Sequence, residues 1–251
     1  MTIHLEVSRV QRSRSARPTA STGAGIRVLA RPAPVPWPIY AIGADSGEHA
    51  AFALVQLDAE GLRLLRLWPV YGTGVLWFER AREAADCGWA SLRESVAIQQ
   101  PADMVEARAA RCRVWIETPP SMSRKLATGK RHTQASWIGL GRRVGALQMA
   151  WYCAARHPAS LVEPSTWWMP WAGHGLKRGK DEATAGWHRV EEASALVMGA
   201  GAALTAVPKT RAVDCAESIL IAGAAARDEA GMWAPPPPRR PTTLGLTRRE
   251  G

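Results

Sequence analysis

The order of the short apolar segments along this chain leaves few folds open. Residues 39–45, 50–57 and 61–68 read as three strands, with Gly47 and Gly61 in the turns between them. Short strands joined by tight turns predict an antiparallel meander. A helical pattern at 77–99 follows, and then a fourth strand at 112–117 that is apolar on both faces, as a central parallel strand should be.

The second half of the chain continues this alternation. Residues 118–134 are polar and contain Pro and Gly, which predicts a long loop, whereas 134–156 has helical periodicity. A fifth strand is predicted at 159–164, followed by helices at 180–204 and 212–226. A meander followed by helix, strand, helix, strand and terminal helices predicts an α/β fold of the RNase H-like type, with a mixed five-stranded sheet flanked by helices.

Pro-rich runs enclose the predicted fold. "RPAPVPWP" (31–38) precedes the first strand and "APPPPRRP" (234–241) follows the last helix. Such runs favour extended conformations and pack poorly, so they predict flexible arms. The expected organisation is a basic, Pro-rich arm at 1–38, one folded domain at 39–226 and a Pro/Arg-rich tail at 227–251.

The charge and composition of the chain indicate which kind of partner and which cellular compartment to expect. The net charge is +10, and residues 1–38 hold six Arg against Glu6 alone, which points to a polyanionic partner. No apolar run approaches the roughly 18 residues of a membrane span, and the N-terminus has no apolar signal segment, so no membrane partner is expected. The four cysteines show no metal or redox spacing, which favours a reduced, cytoplasmic compartment.

Two of the predicted strands end on a carboxylate. Asp45 closes the first strand before Ser46 and Gly47, and Glu117 closes the fourth before Thr118 and two prolines. An Asp-Ser-Gly turn is by itself ordinary turn chemistry. If the first and fourth strands are neighbours, however, both acids project from the same end of the sheet.

The last predicted helix carries two further acids. Asp214 and Glu217 in "VDCAESILIAGAA" are three residues apart, which places them on one helical face at the predicted first turn. Four converging carboxylates raise each other's pKa unless a cation lies among them. Mg²⁺, for which Mn²⁺ can substitute, suits such oxygen ligands, and two ions about 4 Å apart would clamp the reacting oxygens of a phosphodiester.

Four stretches resemble the RuvC-type Holliday junction resolvases: "GADSG" after a strand, "VWIE", "IGLGRRVGALQMAW" as a helix, and "VDCAESILIA". The resemblance covers about residues 39–226. It implies a crossover junction endodeoxyribonuclease that acts on branched DNA as a homodimer, with the 134–156 helix near the interface. It further implies metal ligands at Asp45, Glu117, Asp214 and Glu217, and a phosphate-contacting catalytic lysine at Lys180.

The chain departs from the family pattern at two positions. The family usually has Asp where Glu217 stands, one methylene shorter. The family's lysine just after the fifth strand is replaced within "STWWMPW", so that this phosphate contact would fall to Lys177 or Arg178 or be missing.

A basic stretch begins directly after Glu117. From Thr118 to Val162 there is no acidic residue, and such a stretch beside four carboxylates is typical of a phosphate-binding track. The predicted DNA-binding residues are Arg124, Lys125, Lys130, Arg131, Arg142, Arg143, Lys177 and Arg178. The resemblance implies that the loop reaches the branch point, where Met122 or His132 is the candidate wedge.

Aromatic and apolar residues suggest how the chain associates. Trp167, Trp168 and Trp171 crowd into five residues, and packing in the core or a dimer is favoured over base stacking. The predicted helix at 134–156 has an apolar stripe wide enough for both core and partner, namely Trp137, Leu140, Val144, Leu147 and Trp151. A four-way junction needs two matched incisions and one chain has one acid cluster, so a two-fold homodimer is expected.

Three alternative functions remain open on the same fold. An RNA–DNA hybrid nuclease would use a similar set of acids. A sugar-kinase or actin-like ATPase could use the glycines of "MGAGAAL" (198–204), although Asp86-Cys87-Gly88 falls in a predicted helix and not in a second phosphate loop. A catalytically silent DNA-binding module would have no need of four clustered acids. For a nuclease, the expected location is the cytoplasm with the nucleoid, or the host cytoplasm for a phage protein.

Overall fold

The computed structural model describes residues 38–47, 49–118, 134–164, 166–167, 171 and 182–232, without the side chains of 134–137 and 182–187. The predicted arms at 1–38 and 227–251 lie almost wholly outside these residues and stay predictions. The last helix includes the first residues of the predicted tail.

Five strands form one mixed sheet. They are β1 (Ile39–Asp45), β2 (Ala51–Asp58), β3 (Gly61–Pro69), β4 (Arg113–Glu117) and β5 (Ser160–Val162), arranged in the order β3-β2-β1-β4-β5. The first three strands pair antiparallel, whereas β4 runs parallel to β1 and β5 runs parallel to β4. The mixed five-stranded sheet predicted from the sequence is confirmed, with β1 and β4 as neighbours.

Helices cover both faces of this sheet. They are α1 (Gly74–Ala97), α2 (Val105–Ala109), α3 (Gln134–Ala155), α4 (Glu182–Leu196), α5 (Ala200–Thr205) and α6 (Lys209–Glu229), with a 3-10 turn at Ala102–Met104. Side chains of a strand alternate between faces. Tyr40 and Ile42 of β1 accordingly pack with α1, α2 and α3, while Ile39 and Ala41 pack with α4, α5 and α6. The result is the predicted α/β layer fold.

Helix α6 lies unusually close to the central strand. A Cβ atom built on Gly43 of β1 would be 2.2 Å from the backbone nitrogen of Ala222 and 2.5 Å from the carbonyl oxygen of Ser218. Because real Cβ atoms essentially never come this close to backbone atoms, only glycine allows the contact. The missing side chain at Gly43 therefore sets how near the acids of α6 lie to the end of β1.

Two predictions about the helices were wrong. The helix predicted at 180–204 is two helices, because Gly199 has φ 84° between α4 and α5. Met198 there pairs with the edge strand β3 through backbone hydrogen bonds to Leu62 and Leu64, both 2.9 Å long. In addition, α6 begins at Lys209, so that Asp214 and Glu217 lie beyond the first turn where the sequence placed them.

None of the described helices is long and apolar enough to cross a membrane. All four cysteines lie among the described residues and are free thiols. Cys215 is buried next to Asp214, and this burial raises the pKa of its thiol to about 12. It therefore stays protonated and packs as a small apolar side chain.

Candidate metal centre

Asp45 ends β1 as a buried carboxyl, with 3% of its surface exposed. Its Oδ2 accepts a hydrogen bond of 3.1 Å from the backbone N–H of Gly47. A Cβ atom on Gly47 would lie 2.7 Å from that oxygen and 3.3 Å from Oδ2 of Asp214. The Gly-bearing turn thus leaves room for the two carboxyls, which a larger residue would crowd.

Glu117 lies beside Asp45 because their strands are parallel neighbours. Ala44 is in register with Ile116, so the next residue of each strand emerges at the same edge of the sheet. The two carboxyls are hydrogen-bonded to each other. The indole Nε1–H of Trp167 donates a further hydrogen bond of 3.0 Å to Oε1 of Glu117.

Helix α6 brings Asp214 and Glu217 to the same edge. Oδ2 of Asp214 accepts a hydrogen bond of 3.1 Å from the backbone N–H of His49. One oxygen atom from each of Asp45, Asp214 and Glu217 can be chosen so that all three lie within 4.8 Å of one another. Glu217 also forms an ion pair with Arg189 of α4.

Ser218 joins the acidic turn of α6 to the end of β1. Its hydroxyl is fully buried and accepts a hydrogen bond of 3.2 Å from the backbone N–H of Asp45. The same hydroxyl can donate to the carbonyl oxygen of Ala51 at 3.0 Å or to that of Asp214 at 2.9 Å. This one side chain therefore ties together the backbones that carry two of the acids.

The electrostatics of the cluster show an excess of negative charge. Burial raises the pKa of Asp45 well above its usual range, and the neighbouring Glu117 and Asp214 raise it further, against the opposing effect of the Gly47 N–H. Burial also raises the pKa of Glu117, although its hydrogen bonds with Asp45 and Trp167 and the charge of Arg189 act in the opposite direction. Both members of the hydrogen-bonded pair thus have raised pKa values, with burial as the main cause.

These residues fit a divalent cation. The donors are all carboxylate oxygens, which are the ligands that Mg²⁺ and Mn²⁺ prefer. A cation at the cluster would relieve the repulsion that raises the pKa of Asp45. Asp45, Asp214 and Glu217 could hold one ion, and Glu117, hydrogen-bonded to Asp45, could share a second.

The predicted basic residues fall mostly outside the described chain. This holds for Arg124, Lys125, Lys130, Arg131, Lys177, Arg178 and Lys180, and for the candidate wedges Met122 and His132. Arg142 is exposed and Arg143 half-buried on α3. Since β4 and β5 are parallel, the helix between them runs back along the sheet, and its first half lies toward the edge where Glu117 ends β4.

Sequence reasoning missed three residues of the site, namely Trp167, Arg189 and Ser218. The sequence favours a packing role for Trp167 as one of three clustered tryptophans, and it and Trp171 are buried in the core, with 1% exposure each. Arg189 lies in a predicted helix with acidic neighbours, where an arginine is an ordinary surface residue. Ser218 follows Glu217 directly. Its signal in the sequence is that a polar serine lies within an apolar stretch of a predicted helix.

The glycines of the ATPase alternative lie within or beside helices. Gly88 lies inside α1, where an added Cβ would meet Trp151, Trp68 and Ile42 at 3.7–3.8 Å. Gly199 supplies the left-handed turn that ends α4 and begins α5 next to β3. Gly88 is inside a helix and not in a phosphate loop, and Gly199 lies beside Arg63 of β3, in the half of the sheet away from Asp45, so these residues give no support to an ATPase.

Comparisons with known proteins find similarity only among solved structures. No protein-family model and no curated protein matches the chain. A structure of Thermus thermophilus RuvC shares 18% identity over 77% of this chain and 97% of its own, with a TM-score of 0.41. The same enzyme in complex with a Holliday junction substrate gives 18% identity, 77% and 96% coverage, and a TM-score of 0.43.

A third structure, of the yeast mitochondrial Holliday junction resolvase, shares 13% identity over 75% of this chain and 79% of its own. Its TM-score is 0.43. Identities and TM-scores of this size carry no information about activity.

Proposed function

We propose that this protein is a metal-dependent, structure-selective endodeoxyribonuclease that resolves four-way junctions or other branched DNA by hydrolysis of paired phosphodiester bonds. The observation that carries the proposal is the convergence of Asp45, Glu117, Asp214 and Glu217 at one edge of the sheet. Two Mg²⁺ ions held there would neutralise the acids and stabilise the charge on the attacking and leaving oxygens.

The chain's own residues would hold and orient this centre. Ser218 and Gly47 fix Asp45 through backbone hydrogen bonds, and Trp167 orients Glu117. Lys180 would contact the phosphate next to the scissile bond, as the family resemblance implies. The buried setting of Asp45 limits access of water to the carboxyls, which strengthens their electrostatic interactions with a bound cation.

The proposed DNA track is basic and adjoins the acids in sequence. The predicted DNA-binding residues of 121–133 follow Glu117 directly, and Arg142 and Arg143 lie in the half of α3 nearer the acidic edge. Contacts of such residues with phosphates would give affinity and orientation. A protein that acts on chromosomal DNA would work in the cytoplasm with the nucleoid, or in the host cytoplasm if a phage encodes it.

A homodimer is part of the proposal. Val144, Leu147 and Trp151 of the predicted stripe are buried in the core. A different face of α3 exposes large apolar side chains, namely Ile138 at 48%, Met149 at 62% and Tyr152 at 49%. Their spacing of eleven and three residues places them on one side of the helix, where a second copy of the chain could cover them.

The test is a cleavage assay on end-labelled four-way junction, linear duplex and RNA–DNA hybrid, each with and without Mg²⁺. We expect Mg²⁺-dependent cutting of the junction in paired, symmetric positions. Asp45→Asn and Glu117→Gln should each slow it by at least about 10²-fold, since a metal site contributes several kcal/mol to the transition state, while junction binding is retained. Asp58→Asn is the control, because Asp58 ends β2 at the opposite edge of the sheet.

Other outcomes would contradict the proposal and identify the alternative. Preferred cutting of the hybrid would make the protein a hybrid nuclease. Junction binding without any cutting, in Mg²⁺ or Mn²⁺, would make it a silent DNA-binding module. Undiminished cutting by both acid variants would show that Asp45 and Glu117 take no part in catalysis.

A further inference from the structure

Arg189 lies among the acids as a cation that the chain itself supplies. Its guanidinium forms an ion pair with Oε1 of Glu217, and the two side chains are only 24% and 15% exposed. The guanidinium carbon is also 5.8 Å from the centre of the Trp167 ring. Trp167 in turn donates its hydrogen bond to Glu117. Arg189 is therefore connected to two of the four proposed ligands, directly to Glu217 and through Trp167 to Glu117.

An arginine is suited to this position because its charge is permanent. The guanidinium stays protonated at every pH a protein meets, and its planar face stacks on aromatic rings. Its charge favours the ionised form of Glu117, whose carboxylate lies close by. The folded protein thus gains a partial counter-charge for the cluster without a bound metal.

A second acid is available to Arg189 one turn further along α4. Oε2 of Glu192 is buried and has no hydrogen-bond partner among the described residues. A buried carboxylate oxygen without a hydrogen-bond partner costs free energy. Oε2 of Glu192 is therefore available to accept a hydrogen bond. Glu192 already interacts electrostatically with Arg189. Since the two residues are three apart on one helix, the guanidinium can reach Glu192 by changing its side-chain conformation.

We propose that Arg189 is a built-in counter-ion of the acid cluster, which pairs with Glu217 in the metal-free protein and passes to Glu192 when a divalent cation binds. This inference rests on the proposed metal-dependent function. Glu217 is the acid at which the chain departs from the aspartate that the family resemblance implies, and it is the acid that carries the pair. The move of Arg189 from Glu217 to Glu192 sets the metal concentration at which the acid cluster binds the cation.

The displacement can be measured on the substrate-free protein by calorimetric titration with Mg²⁺ and Mn²⁺. Arg189→Gln removes the competing cation, so we expect metal affinity to rise by roughly three- to tenfold. This is the size of effect expected from the loss of one partly buried ion pair. Arg189→Lys keeps the charge and should return the affinity toward the wild-type value. Glu192→Gln removes the alternative partner and should lower the affinity.

A double-mutant cycle between Arg189→Gln and Glu217→Gln tests the pair itself by thermal midpoints. With a chelator present, Arg189→Gln should lower the midpoint by roughly 2–6 °C in the wild-type background and by less in the Glu217→Gln background. At saturating Mg²⁺ the difference between backgrounds should disappear. Arg113→Gln is the control, because Arg113 pairs with Asp228 and Glu229 at the other end of β4 and should show no Mg²⁺ dependence.

Two results would overturn the inference. One is a coupling between Arg189 and Glu217 that Mg²⁺ leaves unchanged, which would make the pair a permanent structural contact. The other is an unchanged or weaker metal affinity in Arg189→Gln. Failure of the proposed function is distinguishable, because wild-type protein would then show no metal binding in the titration or no cutting in the cleavage assay.

Discussion

The indole N–H of Trp167 donates a hydrogen bond of 3.0 Å to Oε1 of Glu117, across fifty residues of sequence. The same ring is buried in the core and has Arg189 over its face. A single aromatic residue therefore connects the packing of the helical layer to the orientation of one proposed metal ligand.

Replacing Trp167 by Phe should separate these two roles. Phenylalanine keeps much of the packing but has no N–H, so Glu117 loses a donor that favours its charged form. We expect a loss of about 1.5–3 kcal/mol in the free energy of unfolding and up to about tenfold weaker Mg²⁺ binding in calorimetry. Trp171→Phe is the matched control, since Trp171 donates to the backbone carbonyl of Leu220 instead.

Trp171→Phe should cost about 0.5–1.5 kcal/mol of stability and leave metal affinity unchanged, because the hydrogen bond that it loses goes to a backbone carbonyl. Equal effects of the two variants on metal affinity would contradict an orienting role for Trp167.

The metal-free protein should become more stable as the pH falls from neutrality. Burial and the neighbouring acids raise the pKa of Asp45, so that the folded state binds protons more tightly than the unfolded state, in which the pKa is about 4. This contribution is fully present below the unfolded-state pKa and is lost as the pH rises through the folded-state pKa, with a slope of at most about 1.4 kcal/mol per pH unit per proton. Urea unfolding in the presence of a chelator measures it.

Asp45→Asn isolates the contribution of this carboxyl. The neutral amide should flatten the pH dependence and raise the stability of the metal-free protein near neutral pH, because it removes the charge that burial and the neighbouring acids disfavour. It should also abolish stabilisation by Mg²⁺. An identical pH slope in wild type and variant would show that Asp45 does not titrate as its surroundings indicate.

Gly43→Ala should disturb the metal centre from a distance. The added Cβ meets backbone atoms of α6, so the helix has to shift away from β1 and carry Asp214 and Glu217 with it. We expect a cost of about 1–3 kcal/mol in urea unfolding, as for other overpacked sites, and Mg²⁺ affinity lower by at least about tenfold. Gly88→Ala is the control.

At Gly88 an added Cβ meets only ordinary contacts inside α1, so that variant should be neutral or slightly more stable and bind metal normally. If Gly43→Ala loses stability but keeps its metal affinity, the distance between α6 and β1 does not govern the site.

We predict that two chains meet at the exposed apolar face of α3. Met149→Glu places a charge at the most exposed apolar position of that face, which should weaken a dimer by at least about tenfold, since a buried methionine contributes about 1.5–3 kcal/mol. Sedimentation equilibrium of the DNA-free protein measures it. Ile98→Glu, at an 83% exposed position just after α1, should leave the oligomeric state unchanged. Wild-type protein that is monomeric both free and on the junction would contradict paired sites.

The sequence alone determined where the strands lie along the chain and which acids end two of them. Short apolar runs and the glycines between them are local signals, and Asp45 and Glu117 stand at the ends of such runs. The three-residue spacing of Asp214 and Glu217 follows from helical geometry in the same way. All four proposed ligands are therefore identifiable from the sequence.

Only the tertiary structure decided what surrounds those acids. The pairing of Arg189 with Glu217 depends on how α4 and α6 pack against each other, and the contact of Trp167 with Glu117 depends on the path of the chain after β5. The close approach at Gly43 decides how near α6 comes to Asp45. These contacts join residues far apart in the sequence, and no local pattern specifies them, because the energy of each depends on the packing of the whole layer and not on the residues beside it.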